Sequence, residues 1–220
     1  MYPAFDHILI QVPDLETAIA EYSTLLPAPQ TGNFSLANVN LQLGQVDDVA
    51  APRIARLALL DPQLDTGISK PLPGGPRDIP LARAHSREPA YRKPSSTSGI
   101  YAVDHLVLQS GDADACVRLF RDQLGLRLAL DQEVPEWGGR MLFFRHGKMT
   151  LEVIQNRKQP PSRDFFWGIT YLCHDIDQTL ATLDEFGVQH SPVRKGRKPG
   201  TRVSTLKSHC LGLPTLLISP

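Results

Sequence analysis

The chain reads as an α+β protein built from tandem βαβββ modules with mixed sheets. Three observations predict this. An eight-residue segment recurs 98 positions downstream, a turn with Asp and then a helical stretch follows each copy, and two weaker copies of the same template fill the rest of the chain.

The first copy runs Phe5-Asp6-His7-Ile8-Leu9-Ile10-Gln11-Val12, then Pro13-Asp14 and a helical stretch from Leu15 to Leu26. The recurrence runs Val103-Asp104-His105-Leu106-Val107-Leu108-Gln109-Ser110, then Gly111-Asp112 and a helical stretch from Ala113 to Leu124. Acidic, imidazole and amide groups return at the same offsets, and Ile19 and Tyr22 find counterparts in Val117 and Phe120. A repeat of this kind announces a modular architecture before any single element is assigned. The first copy keeps short strands near Phe34–Leu36 and Val39–Leu43.

The copy starting at Val103 can be read throughout. Asp112 caps a helix that Gly125 stops, and three strand-like runs follow at Leu126–Leu130, Arg140–Arg145 and Thr150–Ile154. The last copy repeats the order: strand 168–173, helix 176–186 ending at Gly187, then strands 188–193, 201–206 and 214–218. Between the first and third copies, Ile54–Asp61 resembles another first strand, without a regular helix after it. Residues 61–99 hold 7 of the 19 prolines, a Gly74-Gly75 pair and Ser95-Ser96-Thr97-Ser98-Gly99. Proline removes a donor and pins φ, so this stretch is a long connection or a degenerate module without a recognisable closing strand. The expected division is an incomplete N-terminal pair in residues 1–99 and a fuller C-terminal pair in 100–220, its modules spanning 100–156 and 165–220.

Composition narrows the function classes. The 220 residues carry 23 Lys and Arg against 23 Asp and Glu. There is no global basic field for nucleic acid or an anionic membrane, and no apolar run approaches a bilayer span. The N-terminus lacks the layout of a secretory signal, and three widely spaced cysteines suit a reducing compartment, so a cytoplasmic location is expected. A small-molecule ligand is the expected partner, and exposed sheet edges make a homodimer the expected assembly.

The Asp104-His105 strand start, Leu151-Glu152-Val153 in the closing strand and the repeated βαβββ order resemble the vicinal oxygen chelate superfamily. That group includes glyoxalases, extradiol dioxygenases, and bleomycin-binding and fosfomycin-resistance proteins. The resemblance covers residues 100–220 and, less fully, 4–44. The tail from Gly196 to Val203, with Gly212-Leu213-Pro214-Thr215-Leu216-Leu217, looks like bacterial members carrying only a generic glyoxalase-like label. The resemblance implies a cup of curled sheet around a metal or ligand, with metal ligands on the first and last strands of each module. In the third copy those positions hold His105 and Glu152, an imidazole and a carboxylate suited to a divalent Zn, Ni, Mn or Fe ion. In the fourth copy they hold Gly168 and Leu216, in the first His7 and Gln42, and in the second Arg56. A third protein ligand would therefore come from elsewhere, with His7 the candidate. The competing reading is a His105 ring bonded to Glu152 across the sheet with no metal.

Further candidates surround this pair. Glu152 doubles as a catalytic base. The run from Arg194 to Arg202 places five cations in nine residues on a hairpin, as a solvated turn or an anion clamp in which Arg197 and Arg202 grip the substrate. Trp137 caps the cavity or plugs a sheet edge. Arg140 follows it as a substrate contact. Phe143 and Phe144 face opposite ways, and Phe144 is taken as the one lining the cup. The expected function is a metal-dependent lyase or isomerase acting on a small oxygen-rich or anionic substrate. A metal-free small-molecule binder is the alternative, with an extradiol-type dioxygenase behind it.

Overall fold

The computed structural model of the chain describes residues 2–27, 29, 31–86 and 98–220, with only the backbone described at Trp137. The first copy forms β1 (Phe5–Val12), α1 (Leu15–Leu25), β2 (Asn33–Ser35) and β3 (Asn40–Gln45). The second forms β4 (Arg53–Leu60), β5 (Ile68–Leu72) and β6 (Leu81–His85). The third forms β7 (Ile100–Ser110), α2 (Ala113–Cys116), β8 (Arg127–Val134), β9 (Gly139–His146) and β10 (Met149–Asn156). The fourth forms β11 (Phe165–Cys173), α3 (Ile176–Glu185), β12 (Arg194–Lys195), β13 (Arg202–Leu206) and β14 (Thr215–Ser219). Mixed sheets with few helices follow, as the repeat predicts. No helix among the described residues is long and apolar enough to cross a membrane.

One device starts all three helices. Asp14, Asp112 and Asp175 sit in extended conformation and accept backbone N–H bonds from Thr17 (3.0 Å), Ala115 (2.9 Å), and Asp177 and Gln178 (2.9 and 3.1 Å). Each carboxylate satisfies donors that the first helical turn leaves open. In the second copy Asp61 is spent differently. It accepts from the Gln63 N–H at 3.0 Å and from Arg83 at 3.1 Å, and a turn through Pro62 replaces the helix.

The expectation of an unrecognisable closing strand in the second copy is corrected by β6, which runs parallel to β4 with Leu57 opposite Leu81 and Ala58 opposite Ala82. Pro71 hid the antiparallel partner β5; proline is tolerated there because β5 is an edge strand. The Ser95–Thr97 part of the Pro-rich connection lies outside the described residues. Two more expectations differ. α2 is four residues long, and Val117–Gln123 continues it as a π-helix, with the Leu124 N–H bonded to Leu119 O at 3.0 Å. The strand expected at 188–193 shrinks to a single bridge between His190 and Leu206, followed by two-residue β12. Pro192 lacks a ladder donor, and the Ser191 hydroxyl diverts the Thr205 N–H at 2.9 Å.

The described chain gathers into two compact units. The first comprises Met1–Ile8, Ile54–Glu88 and His105–Trp167, and the second Leu9–Arg53, Pro89–Asp104 and Gly168–Pro220. In the first unit β10 lies between β7, to which it is parallel, and β9, to which it is antiparallel; β8 closes the edge. The helical segment covers one face of these strands. Fully buried Phe120 meets fully buried Phe144 at 5.3 Å between ring centroids, beside Leu106, Leu108, Leu142, Leu151 and Val153. Asp164 ties the segment entering β11 into the same unit. Its carboxylate accepts from Arg77 Nε (2.9 Å), Ser110 Oγ (2.5 Å) and the Gly111 N–H (3.0 Å).

In the second unit β14 runs parallel to β11 and antiparallel to β13. Tyr22 from α1 packs on Phe34 at 5.9 Å, and Tyr22 and Tyr171 are both fully buried. Glu21 fastens the chain after β13 by accepting the Leu211 N–H at 2.6 Å.

Candidate functional site

Strand register decides which side chains share a surface. Side chains alternate along a strand, so residues opposite one another on neighbouring strands project the same way. In the first unit His105 lies opposite Thr150, Thr150 opposite Arg145, and Arg145 opposite Arg127. The next row reads Val107, Glu152, Phe143 and Leu130, and the one after it carries Gln109, Ile154, Met141 and Gln132. All of these point away from the surface that Phe120 and Phe144 close. A bulge makes the rows consistent: the pairing shifts between Leu128 and Leu130, leaving Ala129 as the extra residue.

His105 and Glu152 meet on this helix-free face. His105 Nε2 stands 3.2 Å from Glu152 Oε2, with the side chains 18% and 11% exposed. Val107 and Met141 are buried beside them, and Phe143 is half-buried. An imidazole and a carboxylate in mutual contact, largely withdrawn from water on an apolar floor, form a unit able to move a proton.

The other sequence-derived candidates fall elsewhere. Phe144 turns toward the helical segment, opposite in sense to Phe143. Arg140 is also on that side, and its guanidinium is taken by Asp131 (2.7 Å to each oxygen) and by Asp114 (2.7 Å). Burdened with two carboxylates, it is held well above the usual arginine range, chiefly by the Asp131 hydrogen bonds. His7 is buried on β1, with Nδ1 2.6 Å from Asp6 Oδ1. Asp6 also accepts from the Ser86 hydroxyl and, at 2.9 Å, the Ser86 N–H. The side chain of Trp137 lies outside the described residues.

Two of the remaining candidates belong to the second unit. Arg202 makes a bidentate pair with Asp177 on α3, at 2.5 and 2.9 Å, and is exposed. Arg197 is exposed in the loop between β12 and β13. Gly168, the counterpart of His105 in the fourth copy, is fixed by close packing: a Cβ there would stand 2.6 Å from Pro214 O. A groove of about 490 Å³ in this unit is lined by Asp184, Gly187, Val188, Gln189, His190 and Lys207. Its one imidazole is engaged, since His190 Nε2 meets Asp184 at 3.0 Å and Nδ1 meets Ser191 O at 2.9 Å.

The donor set tests the divalent ion that the family resemblance implies. Among the described residues, no group of three or more His, Cys, Asp and Glu side chains is placed to hold a metal ion. His105 and Glu152 supply two donors, whereas resident first-row ions generally have at least three protein ligands. The residues present do not fit a resident metal, and His7 does not complete the set. Cysteine chemistry is also disfavoured. All three thiols are buried, and burial raises each, Cys116 to about 12.

What sequence reasoning missed is the face. Phe143 and Arg145 share the face of Glu152, and the strand register that places them there is set by long-range pairing.

Residues 104–205 match the family model described as Glyoxalase/Bleomycin resistance protein/Dioxygenase superfamily. Among solved structures, methylmalonyl-CoA epimerase from Mycobacterium tuberculosis is 17% identical, with 56% of this chain and 91% of that chain covered at a TM-score of 0.48. The Streptomyces coelicolor methylmalonyl-CoA epimerase in complex with 2-nitronate-propionyl-CoA is 20% identical, covering 55% and 97% at 0.45. A hypothetical protein from Bacillus halodurans is 17% identical, covering 54% and 93% at 0.46. No curated protein matches the chain.

Proposed function

Since residues 104–205 match the family model of the glyoxalase, bleomycin resistance and dioxygenase superfamily, we propose that the protein is a glyoxalase-like lyase or isomerase acting on a small oxygen-rich or anionic substrate. The observation that carries this reading is the 3.2 Å approach of His105 Nε2 to Glu152 Oε2 on the helix-free face of β7 and β10. Superfamily members commonly use divalent metals. The donor set here does not match one, so the chemistry is assigned to the two side chains alone.

Glu152 is the base. Its carboxylate takes a proton from a carbon next to a carbonyl, and the electron pair moves onto the carbonyl oxygen. His105 stabilises that oxyanion by donating a hydrogen bond. Return of the proton to the opposite face of that carbon inverts it, which is an isomerisation; expulsion of a group on the neighbouring carbon completes an elimination. Phe143, Val107 and Met141 give the substrate a water-poor floor, which strengthens both interactions.

A second reading has its own support. His105 and Glu152 are in contact with each other, as they would be in a pair that only shapes a binding surface. Two measurements separate the readings. The first is solvent proton exchange at the acidic carbon of 2-oxo acids and 2-hydroxy ketones, followed by NMR for the native chain and Glu152→Gln. Exchange lost with the carboxylate supports the enzyme; saturable binding with no exchange leaves the binder. The second is metal analysis of the purified protein. A stoichiometric ion that disappears in His105→Ala would overturn the metal-independent assignment. A homodimer belongs to the same proposal, supported by the exposure of edge strand β8 along most of its length. Light scattering at the monomer mass of 24.3 kDa would refute it.

A further inference from the structure

Arg127 and Arg145 stand directly opposite each other on β8 and β9, in the row that begins with His105 and Thr150. Both are exposed, and among the described residues neither has an ion-pair partner. Like charges directly opposite on a sheet destabilise it. Other arginines of this unit are paired with carboxylates: Arg77 with Asp164, Arg83 with Asp61, Arg121 with Asp122, Arg140 with Asp114 and Asp131, and Arg157 with Glu133. Arg56 and Arg163 have no ion pair among the described residues either, but Arg127 and Arg145 face each other and share the helix-free face with the imidazole–carboxylate pair.

We propose that Arg127 and Arg145 form an anion-recognition site next to His105 and Glu152, so that the substrate is a small acid bearing a carboxylate or phosphate. The inference rests on the functional reading above and names its substrate class. Two guanidiniums on adjacent strands present a wide fork of N–H donors, which suits an oxyanion better than a single point charge would. Neighbouring strands are about 4.8 Å apart, so Arg145 lies two spacings, roughly 10 Å, from His105 at the backbone. An arginine side chain leaning back over Thr150 covers much of that interval. The anion and the reacting carbon are then separated by a few bonds. Phe143 and Leu130, in the row beside the arginines, give the body of such an acid an apolar rest.

The test uses the full chain and two probes with one apolar body and different anions, benzoate and phenyl phosphate, titrated by calorimetry. Saturable binding of either probe is expected, weakening with added salt and falling about tenfold or more in the double variant Arg127→Gln/Arg145→Gln. Preference for benzoate assigns a carboxylate and preference for phenyl phosphate a phosphate; both uphold the site. The double variant is expected to melt at or above the temperature of the native chain, because a like-charge contact is removed. Absence of saturable binding by both probes, undiminished binding in the double variant, or a lowered melting temperature would overturn the proposal. Glu152→Gln separates this inference from the acid–base reading. If it leaves proton exchange intact while probe binding depends on the arginines, the acid–base reading fails and the anion site stands. If exchange needs Glu152 and is indifferent to the arginines, the anion site fails alone.

Discussion

Glu152 reaches His105 diagonally: its direct partner on β7 is Val107, whereas His105 lies opposite Thr150. The two side chains lean toward each other over an offset of two residues to close to 3.2 Å. Contact of this kind depends on both partners. Glu152→Gln is expected to keep the fold and lower turnover by about 10²- to 10⁴-fold, the range for losing a positioned acid or base. His105→Ala leaves a largely buried carboxylate without its imidazole and is expected to cost about 1–3 kcal/mol in urea unfolding. An unchanged unfolding midpoint would show that Glu152 is solvated in the folded chain.

His146 predicts an acid-sensitive stability. It is buried against Phe5, 5.0 Å between ring centroids, and its Nε2 is enclosed without a hydrogen-bond partner. Burial lowers its pKa below the ordinary 6.5, partly offset by a hydrogen bond that the ring donates to the backbone carbonyl of Ala4. A depressed folded-state pKa means that the unfolded chain binds the proton more readily. Stability is therefore full above 6.5 and is lost as pH falls through the depressed value. Replacing His146 with Leu should flatten urea midpoints measured between pH 7.5 and 5. Equal slopes in both proteins would refute the assignment.

Asp6 acts in a separate, more acidic window. Burial alone would raise its pKa, but hydrogen bonds from His7 and Ser86 outweigh that and hold it below the ordinary 3.8. Its contribution is present above 3.8 and lost as pH falls through the lowered value. Asp6→Asn should weaken the protein near neutrality and remove part of the loss seen below pH 4, checked by denaturant midpoints at pH 7 and 3.

Asp164 is completely enclosed and takes three hydrogen bonds, one from the guanidinium of Arg77, whose side chain is 28% exposed. Asp164→Ala leaves the Gly111 N–H without its acceptor and takes the carboxylate from Arg77 and Ser110, which keep Pro161 O and the Asp112 backbone, and a loss of about 1–3 kcal/mol is expected. Arg77→Met should cost less, since the carboxylate keeps two donors. The order of the two urea midpoints checks this.

Gly168→Ala would push a methyl group to 2.6 Å from Pro214 O, which accepts the Ile169 N–H at 3.0 Å. The strand must shift, and a loss of about 1–3 kcal/mol is expected, typical of overpacking. A melting temperature matching that of the native chain would show that β14 yields freely at Pro214.

The sequence carried the module order well because a 98-residue repeat preserves chemistry as well as polarity. The Asp caps at 14, 112 and 175 are local signals, and all three begin a helix. The second copy was illegible where its signals were tertiary: Pro71 looks like a strand breaker until β5 is known to be an edge. His105 could be named because the repeat marks its strand, and Glu152 because the family resemblance implies a ligand on the closing strand of the module. The rest of that face could not be assigned from adjacent pairs such as Phe143-Phe144, since composition is silent on which of two neighbours turns inward. Register supplies that answer, and register is set by long-range pairing.

The extra residue at Ala129 has an evolutionary corollary. Odd-numbered Arg127 and even-numbered Leu130 would project in opposite directions on a regular strand, yet both join the surface that bears Phe143. Excising Ala129 would make Arg127, Leu128 and Leu130 consecutive residues of a regular strand, with Arg127 and Leu130 still on the face that bears Phe143. The bulge is therefore a position where loss of a single codon leaves both faces of β8 as they are, whereas a second inserted residue would exchange them.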